Sequence, residues 1–184
     1  MKRFLMALTA VASLSAAAAE LDYRLTPQQV APNVYVFVGK TEDFTPANGG
    51  NIVNTGFIVA RDGVIVVDTG PSLRYGQQMR AAIAKVTDKP IVLALNTHHH
   101  PDHFLGNQAF AGVPVATLAQ IQASIRAEGN AFAENLFRMT GNWMSGTEVV
   151  VPDKTVEAGE LSIAGTKLRI LALDGHTGAD LALY

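Results

Sequence analysis

Short apolar runs alternate with clusters of Gly, Asn and Asp along the first part of the chain. NVYVFVG (33–39), NTGFIVA (54–60) and GVIVVDTG (63–70) are rich in β-branched and aromatic residues and bounded by turn formers, a pattern that predicts a meander of adjacent strands. TEDFTPANGGN (41–51) then reads as a loop between the first two, placed so that Phe44 could cover a pocket. From Pro71 the period changes. Leu73, Gly76, Met79, Ile83 and Val86 recur at three- and four-residue spacing, predicting one buried helical stripe with Pro71 in its first turn. KPIVLALNT (89–97) is almost continuously apolar, as in a strand covered on both faces. VPVAT (113–117) predicts another strand, and 118–141 a helix interrupted near Gly129. Strand signals resume at EVVVP (148–152), LSIAG (161–165), KLRILAL (167–173) and DLALY (180–184). Meandering and buried strands together with helices predict an α/β fold, a mixed sheet layered with helices.

The chain has 184 residues, 48% of them hydrophobic and 16% charged, which suits one globular domain. The net charge is −2 and no run of Lys or Arg occurs, so nothing offers a footprint for nucleic acid or anionic lipid. Residues 1–19 have a basic start (Lys2, Arg3), an apolar stretch from Phe4 to about Leu14, and small residues at Ala17–Ala19. That is the pattern of a secretory signal peptide, and the apolar stretch is shorter than the ~20 residues a membrane span needs. The expected mature domain is 20–184, periplasmic, with no membrane attachment. Its removal takes away two of the 14 positive charges and none of the 16 negative ones, leaving a mildly acidic protein. Cysteine is absent, which excludes disulfides, lipidation and a thiol nucleophile.

Four of the five histidines lie in NTHHHPDHFLGN (96–107), directly after the buried strand, and the fifth is His176 in LDGHTGADLALY. Ligand sites in layered α/β proteins favour that edge of a sheet. Imidazole is the commonest side-chain ligand for zinc, and carboxylate accompanies it. His98 and His100, two apart, project the same way from an extended backbone, while Pro101 turns the chain before Asp102 and His103. His99 faces the other way and reads as a packing residue or a support behind the ligands rather than a ligand. Asp68, at the end of GVIVVDTG, either caps the following helix or acts from behind the ligands. Trp143 and Met144 fit either a pocket wall or the core, and Asn107 either a cap or a support for the ligands. No serine has G-x-S-x-G context and no glycine cluster has nucleotide-binding spacing.

H-x-H-x-D-H after an apolar strand (His98, His100, Asp102, His103) resembles the signature of the metallo-β-lactamase-fold hydrolases. GVIVVDTG, the helix after it and GHTGAD resemble further elements of that family in the same order, over roughly 30–184. THHHPDHFLGN is also similar to glyoxalase II enzymes, and the leader with the long helical insert resembles periplasmic quinoprotein relay system zinc metallohydrolases. The resemblance implies an αββα sandwich and two Zn2+ sites. His98, His100 and His176 would hold one ion, with Asp102 and His103 belonging to the other and Asp180 in the motif's aspartate position. Gly178 and Ala179 stand where the family has proline and glycine. The family completes its second site with an aspartate and a histidine later than GHT. That ordering, and a chain ending inside a strand-like run, lead us to expect the N-terminal part of a longer protein whose sandwich is incomplete at the C-terminus.

The implied function is a zinc-dependent hydrolase in which metal-activated hydroxide attacks an ester, thioester or amide-like carbonyl of a small molecule, with Asp102 as the catalytic residue. β-Lactam hydrolysis is an alternative within the class. Outside the class stands an exported metal- or partner-binding protein that keeps the fold without turnover.

Overall fold

The computed structural model describes residues 21–184, so the signal-like segment 1–19 lies outside the described residues. A seven-stranded mixed sheet runs in chain order: β1 (Gln28–Ala31), β2 (Val34–Phe37), β3 (Thr55–Val59), β4 (Val64–Val67), β5 (Ile91–Leu95), β6 (Val115–Thr117) and β7 (Lys154–Thr155). Pairings from β1 to β4 are antiparallel, and from β4 to β7 parallel. A second, antiparallel sheet holds β8 (Gly159–Ile163), β9 (Thr166–Leu173) and β10 (Asp180–Leu183), with β9 in the centre.

The layers follow from which side of each strand is apolar. Val64, Val66, Ala94 and Val115 meet α1 (Leu73–Ile83) through Tyr75, Met79 and Ile83. Their neighbours Ile65, Leu93, Leu95 and Ala116 face the second sheet at Leu161, Ile163, Leu168 and Leu183. β5 is thus covered on both sides, as its unbroken apolar run requires. Each such fully buried side chain contributes about 1.5–3 kcal/mol. The far face of the second sheet, with Glu160, Ser162, Lys167 and Arg169, is exposed. Helix, sheet and sheet therefore stack as expected for the αββα class. The helix α3 (Ala119–Thr140) closes one end, packing Ile121, Ile125 and Leu136 with Phe104, Leu105 and Ile170.

Several local expectations need correction. Pro71 precedes α1 rather than entering its first turn; Ser72 is the N-cap, and its side chain accepts from Tyr75 N. Gly129 does not interrupt α3. It is buried, and an added Cβ would come within 2.8 Å of Val149 Cγ1 and 3.6 Å of the Phe104 ring, so the glycine serves close packing. EVVVP is an extended connection, with Val149 and Val151 packed below α3; the strand forms one residue beyond Asp153, at β7. β1 carries no strand signal in the sequence, because all four of its residues are exposed and lack apolar alternation.

The loop 41–51 is tied down from three sides. Asn48 bonds Thr45, Gly50 and the Asp43 carbonyl, Trp143 Nε1 donates to the Pro46 carbonyl at 2.9 Å, and Tyr23 Oη donates to the Gly49 carbonyl at 2.9 Å. Trp143 packs against Tyr23 with ring centroids 4.4 Å apart and planes tilted by 45°, and Met144 is buried, so both belong to the core.

The segment after Phe104 crosses the end of β4 at close range. Gly106 N donates to the Gly70 carbonyl at 2.9 Å, and a Cβ on Gly106 would lie 2.0 Å from the Thr69 carbonyl oxygen. Gly106→Ala is expected to lower stability by about 1–3 kcal/mol through this overpacking, read as a lower urea midpoint at unchanged slope. Burial pushes the Tyr23 hydroxyl up to about 12 and raises Tyr75 as well. The unfolded chain gives up these protons near pH 10 while the folded chain keeps them, so their contribution is intact below pH 10 and declines above it, for Tyr23 until about 12. Urea titrations at a series of alkaline pH values will show this decline, and Tyr23→Phe will flatten it.

Candidate metal centre

The site forms where the parallel strands β4 and β5 end side by side. Asp68 N donates to the Leu95 carbonyl and Asn96 N to the Ala116 carbonyl, after which the chain leaves the sheet as Thr97-His98-His99-His100. A single helical turn, α2 (Pro101–Phe104), follows with His100 at its N-cap position in extended backbone. The turn is held down by its carbonyls: His103 O accepts from Thr69 N at 2.8 Å and from Asn96 Nδ2 at 3.2 Å. Asn107 lies below, buried, donating to Asn96 Oδ1 and the Val150 carbonyl and accepting from Thr69 Oγ1. It supports the ligand-bearing turn rather than capping a helix.

His176 arrives from the second sheet. Leu181 N donates to the Thr97 carbonyl at 2.7 Å, which pins β10 beside the histidine run. Asp180 folds the loop back on itself, accepting from His176 N, Thr177 N and Thr177 Oγ1 at 2.8–3.1 Å. Those three bonds hold the Asp180 carboxyl below its ordinary range, although its partial desolvation works the other way. Ala179 does not adopt positive φ, so the loss of glycine there costs nothing.

The structure brings His98, His100 and His176 together, with one ring nitrogen from each within 4.8 Å of the others. His98 Nε2 and His176 Nε2 stand 3.2 Å apart, and the three rings meet edge to face. Burial, then the neighbouring imidazoles, push His98 down to about 3 and lower His100 as well, so these rings are neutral at pH 7. Three imidazoles converging on one space form a donor set that fits a divalent cation. Among the described residues no acid lies inside this trio. Asp102 and His103 sit beside it, with His103 Nε2 3.7 Å from Asp102 Oδ2 and the His103 ring centroid 3.9 Å from that of His98. Burial raises the Asp102 carboxyl. Burial alone would lower His103, but the carboxylate of Asp68 overrides it and lifts the imidazole above its usual value. His99 lies outside the cluster, its ring 5.9 Å from that of Phe132.

Asp68 does not cap α1, since Ser72 has that role; its carboxylate turns toward the histidines. It is 3% exposed and accepts from Thr97 N and Thr97 Oγ1 and pairs with His103 Nδ1, each at 2.8 Å. Its backbone is left-handed, φ 59°, a conformation rare outside glycine and tolerated by Asp better than by most. Thr97 links Asp68 to His98, and its place directly before the histidines is the only signal the sequence carries for it. A cavity of about 440 Å³ opens over the cluster, floored by His100, Asp102, His103 and His176 and walled by Phe44, Ile52 and Phe132. Phe132 lies on α3, and only the fold brings it here.

The profile of the metallo-beta-lactamase superfamily matches residues 48–184. The chain belongs to that superfamily. A linear primary-alkylsulfatase of Pseudomonas sp. (strain ATCC 19151) is 45% identical over 53 residues, which are 29% of this chain and 10% of that protein. Among solved structures, a metallo-beta-lactamase from Pontibacter korlensis superposes with TM-score 0.63 at 19% identity over 88% of this chain and 66% of its own. A stereoselective inverting sec-alkylsulfatase from Pseudomonas sp. gives 0.63 at 18% identity over 87% of this chain and 29% of its own. The chain thus spans less than two thirds of these proteins' length, and at such identities the solved structures speak for the fold. The superfamily's divalent metal chemistry agrees with the imidazole trio found here.

Asp68→Asn keeps a residue that tolerates left-handed backbone yet leaves one amide oxygen where two carboxylate oxygens served three donors. The substitution is expected to cost on the order of 1–3 kcal/mol in metal-free protein, measured by urea unfolding.

Proposed function

We propose that this protein is a periplasmic zinc-dependent hydrolase acting on an ester, thioester or amide-like carbonyl of a small, partly apolar substrate. The observation that carries this reading is the convergence of three imidazoles, two of which, His100 and His176, line the floor of an apolar-walled cavity. His98, His100 and His176 would hold one zinc ion, and Asp102 and His103 would belong to a second. The chemistry that bound zinc supplies is Lewis acidity and water activated near neutral pH. The chain's own residues do the rest. Asp102, desolvated and next to His103, orients water through its carboxylate. Phe44, Ile52 and Phe132 exclude solvent and bind the apolar part of the substrate. Asp68 and Asp180 act from behind, the first fixing the histidine-bearing turn and the second the His176 loop. Export to the periplasm is supported by the signal-like pattern of residues 1–19.

No lysine or arginine lines the cavity among the described residues, and Asp102 adds negative charge. That favours a neutral carbonyl substrate over one with an anionic group, a β-lactam carboxylate and a sulfate ester alike. A second reading, hydrolysis of an alkyl sulfate ester, runs against that charge balance and has its support in the 45% identity over 53 residues to the primary-alkylsulfatase and in the apolar wall, which would accept an alkyl chain.

Zinc content by elemental analysis is expected to show bound metal in the wild type. His98→Ala, His100→Ala and His176→Ala should each weaken binding by more than the ~100-fold that loss of an outer partner costs. Unchanged zinc in all three would overturn the site. p-Nitrophenyl acyl esters of increasing chain length and dodecyl sulfate then separate the two substrate readings. Zinc retained without hydrolysis of either would favour a binding protein.

A further inference from the structure

We propose that Thr97 is a positioning residue whose hydroxyl locks His98 in the Nδ1–H tautomer and thereby presents an unprotonated Nε2 to the cation site. The inference rests on the metal-site reading above and adds a proton assignment to it. Four short contacts fix the directions. Asp68 is acceptor-only when ionised, and its Oδ2 lies 2.8 Å from Thr97 Oγ1 and 2.8 Å from His103 Nδ1, while Oδ1 takes Thr97 N at 2.8 Å. Thr97 Oγ1 also lies 2.9 Å from His98 Nδ1. The hydroxyl has one proton to give. A bond to a buried carboxylate is about twice as strong as one to a neutral nitrogen, so the proton goes to Asp68. Oγ1 can then only accept, and His98 Nδ1 must carry the hydrogen. A neutral imidazole has one ring proton, which leaves the lone pair on Nε2, the atom 3.2 Å from His176 Nε2.

One carboxylate thus sets two rings in the same sense, His103 by direct contact and His98 through the threonine hydroxyl. His100 and His176 have no comparable partner on their other nitrogen among the described residues. His98 is therefore the preset ligand of the trio.

The alternative state is well defined. Without the hydroxyl, the His98 Nδ1–H would be left without an acceptor in a buried position. The ring would move its proton to Nε2, taking the lone pair away from the cation site and reversing the donor in the 3.2 Å contact with His176 Nε2. The backbone at Thr97 does not depend on the hydroxyl, because its N–H is held by Asp68 Oδ1 and its carbonyl by Leu181 N. Thr97→Val accordingly removes the relay and keeps the shape, and Thr97→Ser restores it.

The test is two-bond 1H–15N correlation NMR on metal-free, 15N-histidine-labelled protein at pH 7, with zinc affinity measured alongside by chelator competition. Wild type and Thr97→Ser are expected to show His98 protonated at Nδ1, and Thr97→Val to show the Nε2–H form with zinc affinity reduced about 10- to 100-fold. A wild-type His98 protonated at Nε2, or a Thr97→Val protein that keeps Nδ1–H, overturns the proposal. Should Thr97→Val fail to fold, the wild-type tautomer alone decides. Because the tautomer is read without metal, absence of zinc binding by the wild type would overturn the metal-site reading and leave the lock to be judged by its own signal.

Discussion

The buried carboxylate of Asp68 is the constraint on which the site depends. It sits one residue past the end of β4, reaches across to the chain leaving β5, and accepts donors from Thr97 and His103 through both oxygens. Its left-handed backbone costs on the order of 1–3 kcal/mol and is held by the bonds around it, among them Asp68 N to the Leu95 carbonyl. Strain at a junction between two strand ends is stable only where the surroundings fix both. Here they do, and the histidine run inherits its position.

Below that carboxylate lies a second layer of polar contacts with no room for slack. Thr69, Asn96 and Asn107 bond one another and the His103 carbonyl, while Thr117 Oγ1 donates to the Asn96 carbonyl. These side chains are all buried, so each unpaired donor or acceptor would carry its full desolvation cost. The network joins β4, β5, β6 and α2 into one platform. Glycine at 106 lets the chain after α2 come to contact distance of Thr69, and a side chain there would lift the platform apart. A metal site with three ligands on two separate sheets needs this rigidity, because imidazoles misplaced by an ångström no longer share one cation.

Much of the fold was legible in the sequence. The apolar run 89–97, covered on both faces, became the central β5, and the three- and four-residue spacing from Leu73 became α1, because burial on two faces or one stripe leaves a period in the residues. The misreadings have the same kind of cause. β1 buries nothing and so leaves no period. EVVVP is apolar because it packs under α3, not because it pairs as a strand. Gly129 suggests a break by residue type alone, whereas its small size is what the neighbouring Val149 and Phe104 require.

For the site, the local spacing of His98, His100, Asp102 and His103 after a buried strand already named a candidate set of ligands, since neighbours on a strand end must share its surroundings. The resemblance of GHTGAD to the family's motif likewise marked His176 and Asp180, and Asp68 stood out by its strand end. What it could not determine was distance across the fold: that Leu181 binds Thr97 and draws His176 to 3.2 Å from His98, that Asp68 faces histidines instead of the helix it precedes, and that Phe44 and Phe132 wall one cavity. Local patterns report which residues are buried and which chemistry they carry. The packing of two sheets against each other decides which of them meet, because those contacts join residues tens of positions apart that no period in the chain connects.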